Sequence, residues 1–205
     1  MSENESSVPQ SRGPAEHSVR EQIVEAAEAH FSHYGYEKTT VSDLAKAIGF
    51  SKAYIYKFFD SKQAIGEAIC AKTLSTMIAA VERAVADATT PSEKFRRMFK
   101  TLVETGAGLF FNERKLYDIA AYSAGEGWPS ARSYCERIRE ILTEVVREGR
   151  ESGEFERKTP LDETVHAVDL VMQPYVNPLQ LQYNLDLVEE APVQLSNLVL
   201  RSLAP

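Results

Sequence analysis

TVSDLAKAIGFSKAYIYKFFDSK, Thr40 to Lys62, reads as two short helices pinned at a sharp turn, with a third about to begin. Its first part places Val41, Leu44, Ala45 and Ile48 at the i, i+3, i+4, i+7 spacing of one buried helical stripe. Thr40 is placed to cap that helix, and Asp43, three residues on, can reach back to complete a capping box. Gly49 ends it, because a residue without Cβ enters the left-handed region cheaply. Phe50 plugs the turn and Ser51 caps the second helix, in which Ile55 and Phe59 share the face that packs on the first. Asp60, with Gln63 three residues later, is the cap expected for the third helix.

Two helices joined by so short a turn make a helix-turn-helix, whose second helix lies in the DNA major groove with its N-terminal residues at the base edges. Here those residues are Ser51, Lys52, Ala53 and Tyr54. Thr40, Tyr56 and Lys62 flank them with groups suited to phosphate oxygens. A helical hairpin in an ordinary α-helical core would start from the same pattern. It would have no use for Tyr54, Tyr56, Lys57 and Phe58 within five positions, and that surplus of aromatic and basic groups favours DNA.

Over Tyr36 to Ile65, YEKTTVSDLAKAIGFSKAYIYKFFDSKQAI, the chain resembles the N-terminal domain of the TetR/AcrR family of bacterial transcriptional regulators. The resemblance rests on Gly35, the Thr39-Thr40 pair, Leu44-Ala45, Ile48-Gly49-Phe50-Ser51, Tyr56, Phe59 and Lys62, and it covers about a quarter of the chain. It implies phosphate contacts from Thr40, Tyr56 and Lys62, and base reading by Lys52, Ala53 and Tyr54. Where this chain has Tyr54, the family more often carries a small or hydroxyl residue. The resemblance further implies a C-terminal body that pairs with its two-fold mate as a four-helix bundle. Two recognition helices would then sit about one DNA turn apart on a near-palindromic operator.

The net charge of −7 is unusual for a DNA binder, so its distribution matters. Residues 1–17 carry −2, residues 18–66 are neutral, and the remaining −5 lies in 67–205. Within 40–66, Lys46, Lys52, Lys57 and Lys62 outnumber Asp43 and Asp60, which makes a modest basic tip on an acidic body. So few phosphate contacts per head imply binding that needs two heads and responds to salt.

Three segments follow from these readings: a flexible tail over 1–17, a DNA-binding head over 18–66, and a ligand-binding and dimerisation body over 67–205. The tail is rich in Ser, Glu and Pro, and its Arg12 is a candidate minor-groove contact beside the plainer reading of an inert arm. The first helix is expected from Ser18, boxed by Glu21, to Gly35, with a stripe of Ile23, Ala27, His30, Phe31 and Tyr34. His30 and His33 lack a third ligand nearby and read as packed or solvated rather than metal-binding.

A long amphipathic helix from Ser61 to about Thr89 links head and body. Thr90, Pro91 and Glu93 restart the chain as cap, first-turn proline and first-turn acid. Helices over Glu113–Ala124, Ser130–Arg150, Pro160–Tyr175 and Leu185–Leu203 complete an all-α fold of about nine helices, interrupted near Pro174, Asn177 and Pro178. In the last two, Val165, Val168, Val171 and Met172 with Val193, Leu195, Leu198, Val199 and Leu203 exceed the apolar needs of a terminal hairpin.

The body's aromatic and polar-tipped residues concentrate at Phe99, Phe110, Phe111, Tyr117, Tyr122, Trp128, Tyr134, Met172 and Tyr175. This is the composition of a small-molecule pocket, or equally of a plain aromatic core. All but Phe111 are candidate effector contacts. No apolar run approaches ~20 residues and no basic-then-apolar leader is seen, so a cytoplasmic protein without a membrane span is expected. Cys70 and Cys135 read as free buried thiols, with a redox switch as the alternative. Nucleophile-elbow, P-loop and dinucleotide motifs are absent from the sequence, and neither a catalytic role nor a cofactor is expected. The resulting expectation is a homodimeric, effector-responsive repressor on double-stranded operator DNA. Its rival is a regulator of the same fold whose body binds another protein.

Overall fold

The computed structural model describes residues 14–205, with side chains from Ser18 onward, and contains ten α-helices, one 3-10 turn and no strand among the described residues. In chain order they are α1 (Pro14–Tyr34), α2 (Val41–Ile48), α3 (Lys52–Ile55), α4 (Lys62–Ala86), α5 (Pro91–Asn112), α6 (Arg114–Gly125), α7 (Pro129–Ser152), α8 (Leu161–Val176), α9 (Pro178–Leu181) and α10 (Ala191–Ser202), with the 3-10 turn at Leu185–Leu187. The fold is all-α as expected, and α9 is the helix beyond the nine foreseen.

Two apolar cores organise the chain. The first gathers Ile23, Ala27 and Phe31 of α1, Leu44 of α2, Ile55 of α3 and Ile65 and Ile69 of α4, each at most 1% exposed. It also takes Leu116 and Ile119 from α6 and Trp128 from the loop before α7. The second joins Phe95, Met98, Phe99 and Leu102 of α5 with Ile141, Leu142 and Val145 of α7, Val165, Val168 and Met172 of α8, and Val199 and Leu203 at the α10 end. At about 1.5–3 kcal/mol for each fully buried large apolar side chain, these cores dominate the fold's stability. Helix α4 enters both, with Leu74 in the first and Val81 in the second. It is also the one described helix long and apolar enough, by length and composition, to cross a membrane, contrary to the expectation that no such stretch exists. Its Ala, Ile and Cys content raises the hydropathy, and in this fold its apolar stripe packs into the two cores.

Several boundaries depart from the sequence reading. Helix α1 begins at Pro14 rather than Ser18, in keeping with the preference of proline for a first helical turn, so Ser18 is no cap and residues 14–17 are not tail. Arg12 lies outside the described residues. Within α1, Val24 joins the core while Tyr34 turns outward, 54% exposed. Ser61, not Asp60, caps α4: its hydroxyl accepts from Ala64 N at 3.0 Å. The helix expected over Leu185–Leu203 is a 3-10 turn followed by α10, which starts at Ala191 with Pro192 in its first turn. Pro174 lies inside α8, and the break comes at Asn177, whose side chain accepts from Leu179 N at 3.0 Å to start α9. Cys70 is buried but Cys135 is exposed.

The caps of α2 form as read. Thr40 Oγ1 accepts from Asp43 N at 3.2 Å while the Asp43 carboxylate accepts from Thr40 N at 2.9 Å and Thr40 Oγ1 at 2.6 Å. Gly49 then closes the helix at φ 77. The bond from the Thr40 hydroxyl is the main cause holding the Asp43 carboxyl below its ordinary pKa. A depressed carboxylate adds stability above its unfolded pKa, and that contribution is lost as pH falls through the lower folded value. The wild type is therefore expected to melt higher than Asp43→Asn at neutral pH, with the gap closing below the ordinary aspartate range near ~3.9. Calorimetry across pH checks this, and a gap that persists in strong acid would contradict a charged cap.

Candidate nucleic-acid interface and effector cleft

With α2 and α3 anchored on α1 and α4 through Leu44, Ile55 and Phe59, their polar residues have one direction left. Thr40, Lys46, Ser51, Lys52, Ala53, Tyr56 and Lys57 are all exposed. Helix α3 is a single turn, started by Ser51 Oγ accepting from Tyr54 N at 3.1 Å and prolonged by Phe59 N donating to Ile55 O at 3.1 Å. Tyr54 is half-buried. Its ring is wedged edge-on between Phe50, 5.0 Å away, and Phe58, 5.3 Å away, with Lys57 Nζ 5.7 Å from its centroid. The surplus aromatics of the sequence are thus a ladder that stiffens the reading turn and fixes where Tyr54 points. Tyr56 is held more loosely, with Lys52 Nζ 5.7 Å from its ring.

Lys62 is engaged differently from the other lysines. Its ammonium donates to Tyr36 O at 3.1 Å and Glu37 O at 3.5 Å, and sits 4.3 Å over the Tyr36 ring. It ties the start of α4 to the turn after α1, a positioning role that the sequence reading did not foresee. Thr40 likewise spends its hydroxyl on the Asp43 box. Tyr36 is buried, and that desolvation pushes its phenol up to about 12, so it stays neutral beneath the Lys62 ammonium.

The eight aromatic and Met candidates of the body do not converge on one cavity. Phe99 and Met172 lie in the second core, with Tyr134 and Tyr175 packed against it. Trp128 belongs to the first core and contacts Tyr122, which is 37% exposed. Phe110 and Tyr117 form a separate edge-on pair 4.9 Å apart, capped by Arg114 4.1 Å over the Phe110 ring, and Tyr117 donates to Pro178 O at 2.6 Å. Phe111, beside them, is 65% exposed. Helix phase separates these residues, because aromatics on neighbouring turns of α5 and α6 face different partners.

A cleft of about 590 Å³ does open between α7 and α8, and only Tyr134 of the candidates lines it. Ile138, Leu170 and Val176 supply apolar wall, and Arg132, His166 and Gln173 are among its polar groups. Arg139 and Asp169 pair across it at 3.1 Å. That volume and mixture suit a small molecule. Apart from Tyr134 this cleft has no signature in the sequence, because its polar residues read as an ordinary solvated helix face.

The thiols are poorly placed for redox sensing. Burial raises Cys70 to about 11, and Cys135, although exposed, is raised by partial desolvation where it lines the α7–α8 cleft, so neither is a ready thiolate at neutral pH. No cluster of three potential metal-ligating side chains occurs among the described residues.

A glycine-hinged helix pair that buries its apolar faces and turns lysines and hydroxyls outward defines a helix-turn-helix protein of the DNA-reading class. Residues 23–69 match the family described as bacterial regulatory proteins, tetR family, and residues 91–192 match the tetracyclin repressor-like C-terminal domain. The chain belongs to the TetR family, whose members are DNA-binding transcriptional regulators rather than enzymes. Among named relatives, the biofilm operon icaADBC HTH-type negative transcriptional regulator IcaR of Staphylococcus aureus is 41% identical over 49 residues, 24% of this chain and 26% of that protein. The match therefore spans about a quarter of that relative's length. The fatty acid degradation regulator FadR from Bacillus halodurans superposes with a TM-score of 0.68 at 20% identity, over 93% of this chain and 97% of that one. FadR from Bacillus subtilis, solved in complex with stearoyl-CoA, gives 0.62 at 20% identity over 88% and 95%. Both show the shared fold.

Proposed function

We propose that this regulator is a homodimeric repressor, released from a near-palindromic operator by a small, largely apolar effector with a polar end. Residues 18–66 act as the reading head and 67–205 as the effector-binding and pairing body, with α4 shared between them. The observation that carries the reading is the outward row of Lys46, Lys52, Lys57 and Tyr56 around the one-turn α3. Ser51, Lys52, Ala53 and Tyr54 lie at the base edges, while Thr40, Lys46, Tyr56, Lys57 and Lys62 serve the phosphates. The negative regulator IcaR supports repression. The stearoyl-CoA complex of the similarly folded FadR supports an amphipathic effector, which here would enter the α7–α8 cleft beside Tyr134. A DNA-reading role supports a cytoplasmic location.

Effector binding shifts DNA affinity only through a difference in its own affinity for the two head spacings. The rival reading, a body that recognises another protein, draws on Phe111 and on Tyr183, which is 80% exposed. A contiguous patch of such residues would be needed, and Phe99, Tyr117, Trp128 and Met172 are instead buried.

Fluorescence anisotropy on duplexes from the upstream region of its gene, across a salt series, tests the residue roles. Lys62→Ala is expected to weaken binding to every duplex, to reduce the salt slope by about one, and to lower the melting temperature because the Tyr36 and Glu37 carbonyls lose their donor. An unchanged slope with a lower melting temperature would make Lys62 purely structural. Tyr54→Phe keeps the aromatic ladder and removes only the hydroxyl. It is expected to change the preferred base at one position by roughly 1–3 kcal/mol, and uniform weakening would contradict base reading.

A further inference from the structure

Trp128, the chain's one tryptophan, comes from the body yet lies in the core that holds the head, 4% exposed. Its backbone is tied to the body on both sides: Trp128 N donates to Ser123 O at 2.9 Å, and Trp128 O accepts from Arg132 N at 3.1 Å. Just beyond it, Ser130 N donates to Glu67 Oε2 at 3.1 Å and pins the start of α7 to α4. The indole meets the Tyr36 ring edge-on at 5.5 Å. Tyr122 of α6 closes the set, 5.6 Å from Trp128 and 5.4 Å from Tyr36. Both Trp128 and Tyr36 rest on bare backbone of α4 at Gly66, where a Cβ would lie 2.9 Å from Trp128 Cη2 and 2.9 Å from Tyr36 Cε2.

We infer that Trp128 is a positioning residue for DNA reading: lodged on Gly66 and against Tyr36, its ring fixes the angle at which the head leaves the body. Tyr36 belongs to the turn between α1 and α2, and its carbonyl accepts from Thr39 N at 3.2 Å, one residue before the Thr40 cap of α2. A shift of the indole therefore passes through Tyr36 to the first turn of the helix pair. Leu116 and Ile119 of α6 share this core and add burial. The aromatic contact adds direction, because edge-on rings have a preferred geometry and aliphatic contacts do not. The inference rests on the paired-head reading: one head alone reads its half-site at any angle to the body, whereas two must reach successive major grooves together.

Anisotropy on two duplexes tests it. One is a two-site duplex selected from a random library by the wild-type protein, and the other is the same duplex with one half scrambled. Trp128→Leu is expected to weaken two-site binding at least about tenfold, part of the effective-concentration gain of paired heads, and to leave binding to the scrambled duplex unchanged. Gly66→Ala keeps every ring but pushes Trp128 and Tyr36 off α4. It is expected to do the same, and it decides the matter if Trp128→Leu fails to fold. Val145→Ala, in the second core, is expected to lower the melting temperature while leaving both affinities unchanged, which separates positioning from stability. Equal weakening on the two duplexes, no weakening on either, or the same two-site loss in Val145→Ala would make Trp128 a plain core residue and overturn the inference. A wild type that binds both duplexes alike would instead overturn the paired-head reading, and the inference with it.

Discussion

The double variant Val193→Glu, Leu198→Glu is expected to fold normally, to sediment as a monomer, and to bind operator at least about a hundredfold more weakly than the wild type. Val193 and Leu198 on α10 are 57% and 55% exposed. Helices α8 and α10 pack together, and their inward residues Val165, Val168, Met172, Val199 and Leu203 already belong to the protein's own core. The apolar excess noted in the sequence therefore resolves into two sets. The valines of α8 face inward, and Val193 and Leu198 of α10 remain exposed, available to a second copy. Each such side chain buried between copies adds about 1.5–3 kcal/mol, while an unpaired carboxylate in its place opposes association. A head with so few cations depends on its mate, so loss of pairing removes the effective-concentration gain of about 10²–10⁴. Sedimentation and anisotropy measure the two effects. A variant that remains dimeric would show that another surface makes the pair.

Gly149→Ala is expected to destabilise the protein by about 3 kcal/mol, lowering its melting temperature by roughly 6–12 °C. Alanine ordinarily strengthens a helix relative to glycine by about 1 kcal/mol, so the sign itself is informative. Gly149 lies within α7, and a Cβ there would sit 2.1 Å from Cδ2 of Phe155. Phe155 is 3% exposed and has little room to retreat, since Phe155 N donates to Gly149 O at 2.9 Å and Glu156 N donates to Leu203 O at 2.7 Å. The ring must therefore leave the second core or push α10 away. A melting temperature equal to or above the wild type's would refute the close packing of Phe155 on α7.

What could be read from the sequence was what short-range chemistry controls. Thr40, Asp43, Gly49, Ser51, Thr90 and Gly153 act within one helical turn of themselves, and each performs the capping or turn role that its type implies. Pro174 misleads because a proline removes only its own bond to the Leu170 carbonyl, while Asn177 N still donates to Gln173 O at 3.0 Å, so the helix continues to Val176. The aromatic set misleads for a different reason. Which way Phe99 and Phe111 face depends on how α5 crosses its neighbours, a property of the packed molecule rather than of any local pattern. Gly66 was within reach: a glycine inside a helical pattern points to close approach, and a Cβ there would lie 2.9 Å from both Trp128 and Tyr36. Lys62 was found by its type and position, yet its two carbonyl partners come from 25 and 26 residues earlier and only the fold brings them near.

Two heads are expected to read one operator together. Spin labels at Lys38→Cys, an exposed head position outside the proposed DNA contacts, in a background where Cys135 is replaced by Ser, measure this by the dipolar distance between heads on operator DNA. One dominant distance is expected, matching α3 helices one helical turn apart, about 34–36 Å, that broadens or moves away when effector is added. A bound complex with no dipolar signal, or a distance incompatible with successive major grooves, would contradict it.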